Sequence, residues 1–295
     1  MRPVLVATLL LACLAPLAGC GGPEAKTGLS YSADAQRAYQ EALEEFNAHN
    51  WIEAQQLFRE VKRKYAYSKF ARLAELRIAD ADFEQEKYGD AIREYKQFVH
   101  DHRSDAEEVV YARSRIAEAQ YREINESILL PASEERDQAA TLESYKELRG
   151  FLHDYPDVKE SKRVCELLED VTIKLVRHEL YVARFYLARD NFDATIGRVQ
   201  YALRNYATDD PCSRGELHAR MIESGGAGSA NVPSVHAQDF GLAPEALLLL
   251  GETYLKMHRF GDARAAFGAI LQRYPQSALI LQAQNFLDFM RTQGV

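Results

Sequence analysis

What this chain lacks narrows its chemistry first. It has no surplus of positive charge: 36 Lys and Arg stand against 44 Asp and Glu, a formal charge of -8. A surface of that sign repels phosphates, which argues against nucleic acid as a partner. No His-Glu-x-x-His, Gly-x-Ser-x-Gly or Cys-x-x-Cys occurs, so no metal-hydrolase, nucleophile-elbow or dithiol chemistry is announced. Gly225-Gly-Ala-Gly228 follows no strand and lacks the Lys-Ser/Thr that a phosphate loop needs. His100-x-His102 supplies two imidazoles without further ligands, which is no metal site, and reads as solvated loop. The expectation is a protein with no catalytic residues, no metal and no cofactor.

Long apolar runs are equally scarce. The one at Val4 to Leu17 is too short to span a bilayer comfortably. With Arg2 before it and Ala18-Gly19 after it, residues 1-19 read as an export signal. Leu17-Ala18-Gly19-Cys20 looks like a bacterial lipobox, in which Cys20 is lipidated and becomes the first residue of the mature chain. Several acyl chains would then hold the protein on a membrane. Gly21, rather than Asp, follows the cysteine, which favours the outer membrane. Small and polar residues make 20-30 a tether.

What is abundant is apolar periodicity of three and four. Between Pro244 and Pro275, Leu247, Leu250, Gly251, Tyr254 and Leu255 form one helical stripe, and Ala263, Phe267, Ile270, Leu271 and Tyr274 form a second. Leu247-x3-Gly251-x2-Tyr254, Ala263-x3-Phe267 and Pro275 fit the tetratricopeptide signature of about 34 residues, in which small residues let two helices approach and large ones fill the gap. Ala54-x3-Phe58-x6-Tyr65 and Ala91-x3-Tyr95-x6-His102 share that frame 37 residues apart. Ser144, Leu148 and Tyr155 hold it in a third, irregular unit, and Thr195, Val199 and Tyr206 in a fourth.

The predicted fold is an all-α tetratricopeptide-repeat (TPR) superhelix of about five helix pairs with a C-terminal capping helix. Repeats one to four occupy 31-206, a flexible inserted loop 207-242, and repeat five with its cap 243-291. Ser32 and Ser277 are the expected caps of the first and last helices. Turns are expected at Lys87-Tyr-Gly-Asp90, Asp190-Asn-Phe-Asp193 and Phe260-Gly-Asp262. No Pro or Gly interrupts Val158 to Ile196, so one helix of roughly 30 residues, or about 45 Å, is predicted there. Cys165, among Val164, Leu167 and Leu168, reads as a buried helix residue rather than a paired one, whereas Cys212 in the loop is open to either state.

The stretch His178 to Ile196, Arg136-Asp137-Gln138 and Val61-Lys-Arg-Lys-Tyr65-Ala-Tyr-Ser68 resemble the BamD family over essentially the whole mature chain. Ala66 and Arg103 stand where that family usually has Pro, and the 207-242 loop is unusual for it. The resemblance implies a lipoprotein on the periplasmic face of the outer membrane that acts as scaffold and substrate receptor in β-barrel assembly. Its implied partners are the periplasmic domains of a BamA-like insertase, other lipoproteins of the complex and unfolded barrel precursors. On the same basis Tyr39, Leu43, Arg72, Leu76 and Asp80 are expected in a groove for an extended substrate peptide, and Tyr181 and Arg184 on the insertase side. Tyr39 and Leu43 read equally well as core, and Arg184 as the partner of a neighbouring acid. A periplasmic TPR adapter of another envelope or export system is the alternative.

Overall fold

The structure, a computed structural model, describes residues 28-104, 106-124, 130-206, 212 and 242-295. The expected signal peptide, Cys20, most of the tether and all of the loop but Cys212 and Leu242 lie outside these residues. Among the described residues eleven α-helices follow one another: α1 (Gly28–Asn47), α2 (Trp51–Lys64), α3 (Lys69–Glu84), α4 (Tyr88–Asp101), α5 (Ala106–Arg122), α6 (Ala139–Asp154), α7 (Ser161–Leu187), α8 (Phe192–Tyr206), α9 (Ala243–Lys256), α10 (Phe260–Arg273) and α11 (Ile280–Thr292). A single 3-10 turn, Ser133–Glu135, lies between α5 and α6.

The small-then-large frame explains the pairing. Ala54 and Phe58, Ala91 and Tyr95, Ser144 and Leu148, Thr195 and Val199, and Ala263 and Phe267 are all fully buried. Each pair lies one helical turn apart on the second helix of its repeat, so both residues face the first helix. In the fifth repeat the approach is close: a Cβ on Gly251 would lie 2.4 Å from the Phe267 ring. That ring in turn stacks on Phe286 of the capping helix at 4.8 Å.

Burial is distributed along the chain rather than centred. Five apolar clusters succeed one another, each joining a helix pair to the next helix, as in α1–α2–α3 around Phe58 and α3–α4–α5 around Tyr95. With its 27 residues, about 40 Å, α7 serves two clusters: Val164 to Leu175 pack on α5 and α6, and Val176 to Leu187 on α8 and α9. Nearest-neighbour packing of this kind is the physics of a TPR solenoid.

The turns inside four repeats share one device. His49, Glu86, Asp190 and His258 take positive φ, between 53° and 64°. Each amide bonds back to the third carbonyl before it, and the following amide to the fifth, as in His49 N to Phe46 O (3.0 Å) and Asn50 N to Glu45 O (3.0 Å). This is the Schellman closure of a helix. An aromatic residue, Trp51, Tyr88, Phe192 or Phe260, then opens the second helix. The turns therefore fall earlier than the sequence suggested: Tyr88-Gly-Asp90 and Phe260-Gly-Asp262 are first turns of α4 and α10, where the acids complement the helix dipole. Ser32 lies inside α1 rather than capping it, because Tyr31 packs on Tyr65 at 5.4 Å and holds the preceding turn against α2. Ser277 accepts from the Leu279 amide at 3.2 Å, one turn ahead of α11.

Cys165 is paired, against expectation, with Cys212, their Cα atoms 5.7 Å apart. Tertiary packing brings them together. The Tyr145 hydroxyl on α6 donates to Asn205 O at 3.1 Å and its ring meets Tyr206 at 5.4 Å, so the end of α8 lies against α6, and Cys212 packs on the cluster of α5, α6 and α7. At the other end of the loop Leu242 is buried beneath α9.

Candidate functional site: an inner charge ladder and an aromatic face

The first helices of successive repeats touch, α1 against α3, α5 against α7 and α7 against α9, and so form one wall of the solenoid. Three of them carry Arg-x-x-acid: Arg77/Asp80 on α3, Arg115/Glu118 on α5 and Arg163/Glu166 on α7. Spacing of three puts both groups on one helix face, and the repeats then stack these faces into a ladder of alternating charge. Arg77 Nη1 reaches Asp80 Oδ2 at 2.5 Å. Arg115 lies with Nε 3.8 Å from Asp80 Oδ1 and Nη1 2.9 Å from Glu118. Arg163 continues with Nη2 4.0 Å from Glu118 and Nη1 3.0 Å from Glu166.

Asp80 is the buried rung. The hydroxyls of Tyr95 on α4 and Tyr111 on α5 both donate to its Oδ1, Tyr111 at 2.8 Å. A carboxylate taken out of water needs such donors and a cation. Burial and the nearby Asp80 charge push both phenols above the usual tyrosine range, well above for Tyr95. Burial works against the Arg77 charge, but Asp80 and the Tyr39 hydroxyl outweigh it and the guanidinium is held more firmly charged than usual. Arg115 is likewise opposed by burial and sustained by Tyr95, Tyr111 and Asp80. Its guanidinium also lies over the Phe83 ring, 3.7 Å from the centroid.

The five residues expected in a groove are placed on α1 and α3, at differing depth. Tyr39 is buried, its ring between Phe58 (5.5 Å) and Phe70 (5.6 Å), with its hydroxyl accepting from Arg77 Nε at 3.4 Å. Leu76 is buried in the cluster of the second repeat, and Leu43 and Arg72 are half-buried. Asp80 is buried behind Arg77 and Arg115, and acts on the wall through them. Sequence reasoning missed Arg77, Arg115, Glu118, Arg163 and the two tyrosines. The recurring Arg-x-x-acid was the available signal.

Tyr181 and Phe185, one turn apart on α7, are both among the exposed large apolar residues. The Arg189 guanidinium lies over the Phe185 ring at 3.4 Å. Arg184 pairs with Glu245 at the start of α9 and so bridges the fourth and fifth repeats, while its side chain stays half exposed. Lys256 on α9 reaches back to Asp190 at 3.1 Å. Between these bridges, burial raises the Glu252 carboxyl against the lowering pull of Arg184 and Lys256.

Among the described residues no group of three or more His, Cys, Asp or Glu is placed to hold a metal ion. None of their helices is long and apolar enough to cross a membrane.

The chain is similar to curated proteins named outer membrane protein assembly factor BamD. The one from Caulobacter vibrioides is 28% identical over 211 residues, covering 70% of this chain and 65% of that protein's own length. The one from Neisseria meningitidis serogroup A is 21% identical over 208 residues, 70% of this chain and 78% of that one. The one from Xylella fastidiosa strain 9a5c is 21% identical over 206 residues, 69% and 70% of the two chains. Residues 32–226 match the profile of the family YfiO, described as outer membrane lipoprotein, a span that takes in the ladder and the α7 face but not the fifth repeat. On that match over more than half its length, the chain belongs to the YfiO family of outer membrane lipoproteins.

Proposed function

We propose that this chain is a scaffold and substrate receptor in outer-membrane protein assembly, held at Cys20 on the periplasmic face of the outer membrane. The family match across 32–226 carries the reading, together with the assembly-factor names of the relatives. The wall of first helices supports it physically. Arg77 is fixed by the buried Asp80 and Tyr39 and stays about a third exposed, so its guanidinium is a pre-organised donor for the carbonyls of an extended peptide. Tyr39, Leu43, Arg72, Leu76 and Asp80 shape that wall, and Tyr181, Phe185 and Arg184 make the face for the periplasmic domains of a BamA-like insertase. Other lipoproteins of the assembly complex and unfolded β-barrel precursors complete the partner set. The protein works by binding, without turnover.

Calorimetry on the mature chain and the periplasmic domains of the same organism's insertase tests this. A micromolar or tighter complex, roughly -8 kcal/mol, weakened at least about tenfold by Tyr181→Ala with Phe185→Ala, is the expected result. A well-folded helical sample that binds neither the insertase nor the C-terminal strand peptides of barrel precursors would move the function to an adapter of another envelope system.

A further inference from the structure

The end of α2 and the turn into α3 form an edge unlike its counterparts in the other repeats. Arg59, Lys62, Arg63, Lys64 and Lys69 are all exposed, with Glu60 among them, Glu75 reaching in from α3, and Asp34, Arg37 and Glu41 of α1 lining the cleft beside Lys64. The side chains of Lys62, Arg63 and Lys64 are 53%, 74% and 53% accessible. In a chain of charge -8 this is a segregated positive patch. Complementing the helix dipole does not require it. The second helices of the other four repeats end on one basic residue each, His100, His153, Arg204 and Arg273.

Tyr67 lies in the middle of the patch and is 98% exposed. The matching positions, three residues past the helix end, are Ser104, Asp157 and Gln276 in repeats two, three and five. An aromatic ring left in water there gains nothing from the fold. The start of α1 adjoins the same edge: Tyr31 packs on Tyr65 and its hydroxyl donates to Lys64 O at 3.5 Å. Gly28 stands only eight positions beyond Cys20, a reach of at most about 28 Å however that segment runs.

We propose that Lys62, Arg63, Lys64, Tyr67 and Lys69 rest on the anionic headgroups of the bilayer and set the tilt of the solenoid upon it. The inference rests on the membrane-anchored reading above. Acyl chains supply affinity but leave a tethered body free to swing, whereas a polybasic edge with an interfacial tyrosine fixes which face meets the lipid. Each cation near an anionic surface strengthens binding about fivefold, an effect that salt screens.

The test uses the mature chain carrying Cys20→Ser, so that no acyl group contributes, floated with vesicles of phosphatidylethanolamine alone or in equal mixture with phosphatidylglycerol. The expected result is binding to the anionic vesicles only, lost at high salt. Lys62→Gln, Arg63→Gln and Lys64→Gln together should lower partitioning at least about tenfold, while Lys159→Gln with Lys162→Gln on the α6–α7 junction leaves it unchanged. In a Tyr67→Trp variant brominated lipid should quench the new emission, beyond any change in the parent with Trp51 alone. A folded sample that ignores anionic vesicles, a triple variant that binds like the parent, or an unquenched Trp at 67 would each overturn the proposal. Failure of the anchor reading is separate and shows as an unlipidated Cys20 in the mass of membrane-extracted protein.

Discussion

The Tyr111 hydroxyl of α5 donates to the buried Asp80 carboxylate of α3 at 2.8 Å, so the joint between the second and third repeats is closed by a hydrogen bond to a charge. Repeat proteins hold together through such nearest-neighbour contacts, and this one concentrates four polar groups, Arg77, Tyr95, Tyr111 and Arg115, on one residue. Asp80→Ala would leave Tyr95, Tyr111 and two guanidinium groups facing each other, and is expected to cost about 3 kcal/mol in urea unfolding. Tyr111→Phe, which removes one donor and leaves Arg77 and Tyr95 in place, should cost about 1–2 kcal/mol.

Gly251 and Gly268 are both helical, but only Gly251 faces the Phe267 ring; nothing lies within 4 Å of a Cβ at 268. Gly251→Ala should destabilise by about 1–3 kcal/mol through overpacking. Gly268→Ala should instead stabilise by about 0.5–1 kcal/mol. Opposite shifts of thermal midpoint from the same chemical change would establish the interhelical approach.

Ser144 occupies the small position of the third repeat and its hydroxyl is buried without a hydrogen-bond partner among the described residues. Ser144→Ala keeps the frame and removes an unsatisfied donor, so a gain of about 1 kcal/mol is expected from chemical denaturation.

The Cys165–Cys212 bridge closes 47 residues of chain around α7 and α8. Cys165→Ser is expected to lower stability by about 2–4 kcal/mol under oxidising conditions and by little in excess reductant. Mass analysis after alkylation of the unreduced parent should show neither Cys165 nor Cys212 alkylated, and both alkylated once the protein is reduced.

Burial raises the Glu252 carboxyl, so the unfolded chain loses that proton first as pH rises. Its contribution is fully present below the ordinary glutamate value, about 4.3, and is lost as pH climbs through the higher folded value. Glu252→Gln should therefore melt higher than the parent at neutral pH, with the difference shrinking toward pH 4.

The frame of small and large residues was legible in the sequence because TPR packing is local: five pairs from Ala54/Phe58 to Ala263/Phe267 were named, and all are buried. The long helix was legible from the absence of Pro and Gly, and proved to be Ser161–Leu187. The three expected turns were misplaced by two or three residues because Glu86, Asp190 and His258 take the left-handed conformation without the glycine that usually advertises it. Asp80 was picked out as a groove residue, but whether a carboxylate faces the wall or lies behind it depends on which helices supply its donors. For the same reason Arg184 could not be assigned to Glu245, 61 residues away.

By itself, then, the sequence determined the all-α repeat architecture and its five-unit count, since helical period and near-neighbour spacing are written in consecutive residues. Tertiary structure alone decided what meets across repeats: the ladder from Arg77 to Glu166, the Cys165–Cys212 bridge, and the basic edge beside the start of α1. Those contacts join residues up to 47 positions apart, and their geometry follows from how each helix pair is rotated on the last, which no local pattern encodes.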